Sequence, residues 1–345
     1  MSRITVFDKL GYFVGDIRAS TVRSWVLNAQ PSPGECRFVV SRYDDKCTVR
    51  YLQFGQYILI RHASLPDWIG VIVSRKWTNG AVEIKAIQSE YILRKRNTTP
   101  GEVRGTPGSI FQQILEDTNN QPFNEKTIIP GVIYSASPQK AQKSGHDGLT
   151  IIQDISTRSG NDFDIRHAFN VNGKLYLTGN WYQRKGIVTN RTLREGWNIQ
   201  ASNELLEEDI IISFNYLLGR GDASTDGTRK VSTQFDEASI NLYGLNQAVT
   251  VFSGNKEQVT VDANTLNLLI ASKDPFKTFD IVALNVGDLF TYLDVGNIYY
   301  TDMNSAGFSG SGFGSQDMVR LFGMEYDDES DTGRLVLELY DDETK

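Results

Sequence analysis

The hydrophobic residues of this chain fall into short runs whose period changes along its length. Five of them, at 23–29, 35–42, 56–62, 68–77 and 81–87, are rich in Val, Ile, Tyr, Trp and Phe. Several alternate. Val82, Ile84 and Ala86 face one way while Glu83 and Lys85 face the other, the period-two mark of a half-buried strand. Asn79-Gly80 separates two of the runs, and Asn-Gly is the strongest short hairpin signal. Leu65-Pro66-Asp67 supplies a loop before Trp68. Successive short strands of this kind predict a small antiparallel barrel or sandwich over residues 1–100.

Arg94-Lys95-Arg96 then leads into Asn97-Thr98-Thr99-Pro100-Gly101, a basic cluster followed by turn formers, which places a boundary near 100. Beyond it the apolar period lengthens. Ile110, Phe111, Ile114 and Leu115 share a helical face, with Thr106 to cap it and Pro107 at its first position. Residues 119–147 are polar apart from 128–134. A second helix begins near Asp147-Gly148, carries Leu149, Ile152 and Ile155, and ends at Gly160. Strands at 162–169 and 174–179 flank Asn172-Gly173, another hairpin signal. Residues 101–195 therefore read as an α+β unit.

Residues 196–345 return to β, with a helical insertion over 219–280. The pattern predicts a strand at 209–218, a polar loop at 219–234 and a short helix at 235–243. A longer helix follows, with its stripe at Val259, Ala263, Leu266 and Ile270. Strands are expected at 279–284, 289–294 and 298–301, then a Gly/Ser loop at 305–315. A closing hairpin uses 318–326 and 334–339, where Leu335, Leu337 and Leu339 make one face apolar. The first and last parts both look like small β-barrels. The fold class expected is thus α+β, mainly β.

Composition sets limits on function. With 345 residues, 40% hydrophobic and 22% charged, the chain can bury substantial cores and is not disordered overall. No apolar run approaches the ~20 residues that span a bilayer. Asp8 and Asp16 interrupt any leader-like stretch, so neither membrane spanning nor secretion by that route is expected. Charge is uneven: residues 1–110 carry a net +7, residues 111–320 a net −7 and residues 321–345 another −7. Such segments can attract one another, within a chain or between copies, and they equally suit solvated faces. A pI near 5.2 argues against general nucleic-acid binding. Cys36 and Cys47 make no disulfide framework and read as reduced, structural residues of a protein made in cytoplasm.

The search for chemistry finds little. Cys36, Cys47, His62, His146 and His167 contain no tight local pair of the kind zinc sites use, so no metal is expected. The stretch from Asp222 to Gly227 faintly resembles a calcium loop. Thr233 stands where the bidentate Glu belongs, and Arg229 and Lys230 would repel a cation, so a surface loop is the better reading. Gly307-Phe308-Ser309-Gly310-Ser311 misses the Gly-x-Ser-x-Gly elbow at its last position. No catalytic residue and no cofactor are expected. Two carboxylates suffice for glycoside hydrolysis, which keeps a cell-wall or polysaccharide hydrolase open as an alternative. A carbohydrate-binding module is the other alternative. Trp68 and Trp77 bracket one strand at odd spacing, so at least one of them belongs to a core.

The order of elements resembles a known family, the hub proteins at the tips of phage tails and related injection machines. Arg37–Ser41, Phe54–Ile58, Trp68–Ile72, Val82–Ala86 and Tyr91–Arg94 look like the first tube-type barrel of these hubs. Leu149 to Phe169, with Gly160, Asp162 and Phe163, looks like their helix-then-strand unit. Gly287-Asp288, the run from Val319 to Asp327 and the run from Gly333 to Leu337 look like the closing strands of the second barrel. The insertion at 219–280 matches least.

The resemblance implies two small tail-tube-like β-barrel domains, at 1–100 and 196–345, with an intervening α+β domain at 101–195. It implies a homotrimer whose six barrels ring a channel, ending the tail tube at the tail tip of a virion made in the host bacterial cytoplasm. The implied neighbours are the distal tail protein, a spike or fibre protein and the end of the tape-measure protein. DNA would pass through the channel without being stably bound. The chain stops just after its last predicted strand, so a bare hub without a hydrolase module is expected. The residues expected to make assembly contacts are Arg94, Lys95 and Arg96 on one side and Asp327, Asp328, Glu329 and Asp331 on the other. Both clusters equally suit solvated surface.

Overall fold

A computed structural model of the chain describes residues 2–18, 20–28, 33–121, 126–135, 140–200, 206–209, 213–223, 227–252, 257–273, 276–302 and 318–340. The first part contributes β1 (Arg3–Phe7), β2 (Phe13–Ile17), β3 (Ser20–Asn28), β4 (Glu35–Ser41), β5 (Tyr57–Arg61), β6 (Trp68–Trp77) and β7 (Ala81–Gln88), then the short helix α1 (Tyr91–Arg94). The middle holds β8 (Gly101–Gly105), α2 (Pro107–Asn119), β9 (Ile128–Ile133), β10 (Lys140–Ser144), α3 (Gly148–Ser159), β11 (Asp162–Phe169) and β12 (Leu175–Tyr182). Next come β13 (Val188–Arg194), β14 (Leu206–Asp209), β15 (Tyr216–Ala223), β16 (Arg229–Phe235), α4 (Glu237–Tyr243), β17 (Gln247–Phe252) and α5 (Gln258–Ser272). The chain closes with β18 (Phe276–Leu284), α6 (Leu289–Tyr292), β19 (Ile298–Asp302), β20 (Met318–Asp327) and β21 (Thr332–Leu339).

The strands of the first and last parts share one sheet. Thirteen described strands belong to it, in the order β14-β18-β21-β20-β3-β4-β7-β6-β5-β1-β2, with β13 reached through β19 from β20. The seam is the antiparallel pair β3–β20, which sets Tyr326 opposite Trp25 and Met324 opposite Leu27. A single core lies against it, drawing Ile4, Trp25, Phe38, Ile58 and Trp68 from the first part and Phe290, Tyr299, Leu321, Tyr326 and Leu335 from the last. The Trp25 and Phe290 rings each meet Tyr326 edge-on, at 5.8 and 5.9 Å between centroids, an arrangement that suits their quadrupoles.

A second core explains why one strand breaks the alternation rule. Tyr57, Ile58, Leu59 and Ile60 in β5 are all buried. Ile58 and Ile60 point into the main core, while Tyr57 and Leu59 join Phe7, Ile69 and Val71 on the other side of the sheet. There they meet Phe111, Ile114 and Leu115 of α2, Ile151, Ile152 and Ile155 of α3, and Phe163 and Trp181 of the β11–β12 hairpin. A strand covered on both faces reads as a continuous apolar run.

The local signals explain the middle unit. Thr106 accepts a hydrogen bond from Ser109 N (3.2 Å) and Pro107 opens α2. Asp147 accepts from Thr150 N (2.9 Å) to start α3, and Gly160 ends it at φ +67°, where a side chain would be strained. The small sheet of this unit runs β11-β12-β9, with β9 parallel to β12.

Several expectations change. Residues 219–234 are not a loop: β15 and β16 pair across them, and β17 lies parallel to β15 to complete a three-stranded sheet. The polar side chains read as loop sit on the outward face and edges of that hairpin. The expected strand at 289–294 is α6, whose Leu289 and Phe290 plug the main core. Its apolar run is too short for periodicity to separate strand from helix. The strand expected at 209–218 is two described strands, β14 and β15. In α5 the stripe is on the other side. Val261, Thr265 and Leu269 are buried against the sheet, while Val259, Leu266 and Ile270 are exposed. Apolar residues ring that helix, so their spacing alone does not select a face. The Gly/Ser loop at 305–315 and the near-elbow at 307–311 lie outside the described residues. Trp68 is fully buried, donating from Nε1 to Val26 O (3.0 Å), and Trp77 is half exposed.

The seam yields a stability test. Trp25→Ala is expected to cost about 3–5 kcal/mol in urea unfolding, the range for losing a large buried aromatic. Trp25→Phe is expected to cost less, because the indole Nε1 it removes has no partner among the described residues.

Candidate assembly surfaces and the buried joint

The expected contact residues are spread over different roles. Arg94 ends α1 exposed, and Lys95 beside it sets its ammonium 5.2 Å from the centre of the Tyr91 ring. Arg96 turns inward. Its guanidinium donates to Lys126 O, its carbonyl accepts from Gly148 N (2.8 Å), and burial draws its pKa down, with Tyr57 opposing. It fastens α1 to the start of α3.

The acidic cluster is the β20–β21 turn. Asp327 Oδ1 accepts from Glu329 N (2.9 Å), and Asp331 takes a left-handed backbone at φ +52°. Asp328 accepts from Ser2 N and Ser2 Oγ (3.2 and 2.8 Å) and so holds the N-terminal strand. Asp331 accepts from Tyr326 OH (2.8 Å) and from Asn285 Nδ2 (3.2 Å). Burial, then the Asp331 hydrogen bond, push the Tyr326 phenol far up, so it stays a donor. His62, whose Nε2 lies 3.3 Å from that phenol, is drawn down by burial. Glu329 remains exposed. Of the seven residues, then, Arg94, Lys95, Glu329 and Asp331 are exposed, and Arg96, Asp327, Asp328 and Asp331 carry intrachain hydrogen bonds.

A larger charged assembly lies where the middle unit meets the main sheet. Asp164 of β11 is buried and accepts from Asn180 Nδ2 (2.8 Å) while pairing with Arg166 (2.8 Å) and Lys185 (3.0 Å). Burial pushes its carboxyl up, but Lys185, Arg166 and Asn180 more than offset this and hold it below the usual carboxylate range. Arg166 also reaches Asp294 (2.9 Å), in the loop after α6. Arg320 of β20, itself buried, binds Asp162 at the start of β11 and Glu338 of β21 (3.2 Å). Beside this network sits Glu90, fully buried. Its Oε1 accepts from Ile165 N and Gln88 Nε2 (3.3 and 3.4 Å), and its Oε2 has no partner among the described residues.

Sequence reasoning missed this joint because its members are scattered from 90 to 338. Asp162, Asp164 and Arg166 alternate with Phe163 and Ile165, which reads as a solvated strand face. The face is covered by groups from other strands. Elsewhere, Cys36 is a buried free thiol pushed well up by burial, and Cys47 is half buried. Among the described residues no cluster of His, Cys, Asp and Glu could hold a metal ion, and no helix is long and apolar enough to cross a membrane.

The main sheet leaves two of its ends open. β2 is paired only with β1, and β14 only with β18, among the described residues. β2 has the sequence Phe13-Val14-Gly15-Asp16-Ile17, with Asp16 its one charged residue, and β14 has the sequence Leu206-Glu207-Glu208-Asp209. Unpaired strand edges are templates for another strand or need covering.

No protein-family model matches the chain, and no curated protein matches it. Its fold, however, is that of phage tail proteins. The 43 kDa tail protein of prophage MuSo2 from Shewanella oneidensis superposes with a TM-score of 0.62 at 10% identity, over 97% of this chain and 98% of that one. Prophage tail protein gp18 from Listeria monocytogenes EGD-e gives 0.62 at 12% identity, over 97% and 94%. The tail protein from Neisseria meningitidis MC58 gives 0.61 at 13% identity, over 99% and 97%.

Glu90 gives the joint a pH signature. Burial raises its pKa from 4.5 to about 7, with Asp164 adding to the rise. A carboxyl raised on folding stabilises below its unfolded value and loses that stability as pH climbs through the folded value. Stability is therefore expected to fall by on the order of 3 kcal/mol between pH 4.5 and about 7 from this group. Glu90→Gln is expected to flatten that slope in thermal melts taken across the interval.

Proposed function

We propose that this chain is a structural protein of the tail tip of a phage or a related injection machine, a hub that ends the tail tube. In this reading three copies form a ring. Each contributes two barrel domains, 1–100 and 196–345, with the unit at 101–195 and the insertion at 219–280 lying outside. The ring joins the distal tail protein to a spike or fibre protein, with the tape-measure end in the channel and DNA passing through it. The protein is not an enzyme in this role.

The observation that carries the reading is one sheet, built from both ends of the chain in a phage tail fold, with β2 at one end and β14 at the other among the described residues. A strand at one end of such a sheet can meet the opposite end in a neighbouring copy. Head-to-tail contacts of that kind close into rings when the rotation allows. Attraction between a basic first third and acidic later parts suits contacts between copies. Of the seven residues expected at contacts, Arg94, Lys95, Glu329 and Asp331 present exposed charges between copies in this reading.

Light scattering of the purified chain tests this directly. A mass near three times 38.7 kDa is expected, shifting toward the single chain as salt is raised. A mass that stays at one chain at every concentration, together with measurable turnover on peptidoglycan, would replace the hub with an enzyme.

A further inference from the structure

Two hairpin tips far apart in sequence are locked together and present apolar side chains outward. The β1–β2 turn exposes Leu10 (50%), Tyr12 (54%) and Phe13 (61%), and the β11–β12 turn exposes Phe169 (38%) and Val171 (101%). Leu175 N donates to Gly11 O (2.9 Å), joining the tips. Gly11 sits at φ +89°, and a Cβ there would fall 2.0 Å from Leu175 O, so only glycine permits the contact. Buried Phe7 lies beneath, its ring 6.1 Å from Phe13 and 5.7 Å from Phe169.

Cations surround this knob. Lys174 sits over Tyr12 (4.8 Å) and Arg61 over Phe169 (5.5 Å), while Lys9 and Lys126 come together over Gly55. Two acids lie nearby. Asp8 accepts from Leu10 N and Tyr12 N (2.9 and 2.8 Å), and Asp67 pairs with Arg61 and His167 (3.4 and 3.3 Å).

The backbone decides what such a knob suits. At the first tip Asp8 N donates to Tyr12 O and Gly11 N to Asp8 O. At the second, Asn170 N donates to Lys174 O and Gly173 N to Asn170 O, and Asn172 N and Lys174 N both donate to Asn170 Oδ1 (2.9 Å each). A protein interface of ordinary size relies on about ten direct hydrogen bonds. Tips whose turns bond internally at these groups, with exposed apolar side chains and cations at the rim, match the demands of a lipid interface instead.

We propose that the paired tips of the β1–β2 and β11–β12 hairpins are a contact site for an anionic lipid surface. Leu10, Tyr12, Phe13, Phe169 and Val171 enter the headgroup boundary. Lys9 and Lys174 stay at the phosphates, while Arg61 pairs with Asp67 and Lys126 donates to Gly55 O behind them. The contact is interfacial and does not span the bilayer.

Flotation of the full chain with vesicles tests it, comparing phosphatidylcholine alone with an equal mixture of phosphatidylcholine and phosphatidylglycerol. The chain is expected to float with the anionic vesicles only, and less so as salt rises. Val171→Asp is expected to weaken binding about tenfold, and Lys174→Ala about fivefold. Leu242→Asp, on exposed α4, is the control and is expected to change nothing. Circular dichroism checks that each variant is folded, and Val171 is exposed enough that its replacement leaves the core intact. The proposal is overturned if the native chain ignores anionic vesicles, or if Val171→Asp floats as well as the native chain. It is also overturned if Val171→Asp instead lowers the mass seen by light scattering, which would assign the knob to a second copy.

Discussion

The pairing of β3 with β20 is the constraint on which the rest of this molecule depends. It joins strands nearly the whole chain apart and turns two sets of strands into one sheet over one core. The packing at the seam is aromatic. Trp25, Phe290 and Tyr326 meet edge to face, and the one hydroxyl among them is tied to Asp331. The β20–β21 turn is shaped by the same tyrosine, and the turn in turn holds Ser2 and so the start of β1. An error in this seam would be felt at both ends of the sheet.

The middle unit is attached by two unlike means. One is apolar: the outward side of β1, β5 and β6 packs on α2, α3 and the β11–β12 hairpin. The other is the charged joint of Asp162, Asp164, Arg166, Lys185, Asp294 and Arg320. Burial of ions is costly, and such networks stabilise little beyond well-packed apolar residues. Their value lies in orientation. Each carboxylate accepts from fixed donors on two or three elements, so the unit sits in one pose on the sheet and does not slide over an apolar surface.

Much of the fold was legible in the chain because local chemistry and tertiary structure agree. Thr106-Pro107 and Asp147 start their helices, Gly160 ends one, and both Asn-Gly pairs turn hairpins. Legibility failed where a short apolar run fits two periods, as at Leu289 to Tyr292. It failed again where a helix is apolar all round, as in α5. The hairpin of β15 and β16 was hidden because its outward residues, among them Arg220 and Thr233, have the composition of a loop. Contacts between distant strands leave no local mark at all. That is why nothing in the acidic turn announced the intrachain hydrogen bonds of Asp328 and Asp331, and why Glu90 passed unnoticed in the first part.

The seam also governs the order in which the chain can mature. During synthesis β3 is complete some three hundred residues before its partner emerges, so its edge stands open for most of translation. A topology closed by its most distant contact carries a large loop-closure cost and folds slowly. The segment from β8 to β12 holds a local hairpin and two capped helices that can form first. Completion of the main sheet then waits on the last strands, so a chain truncated before β20 cannot close it.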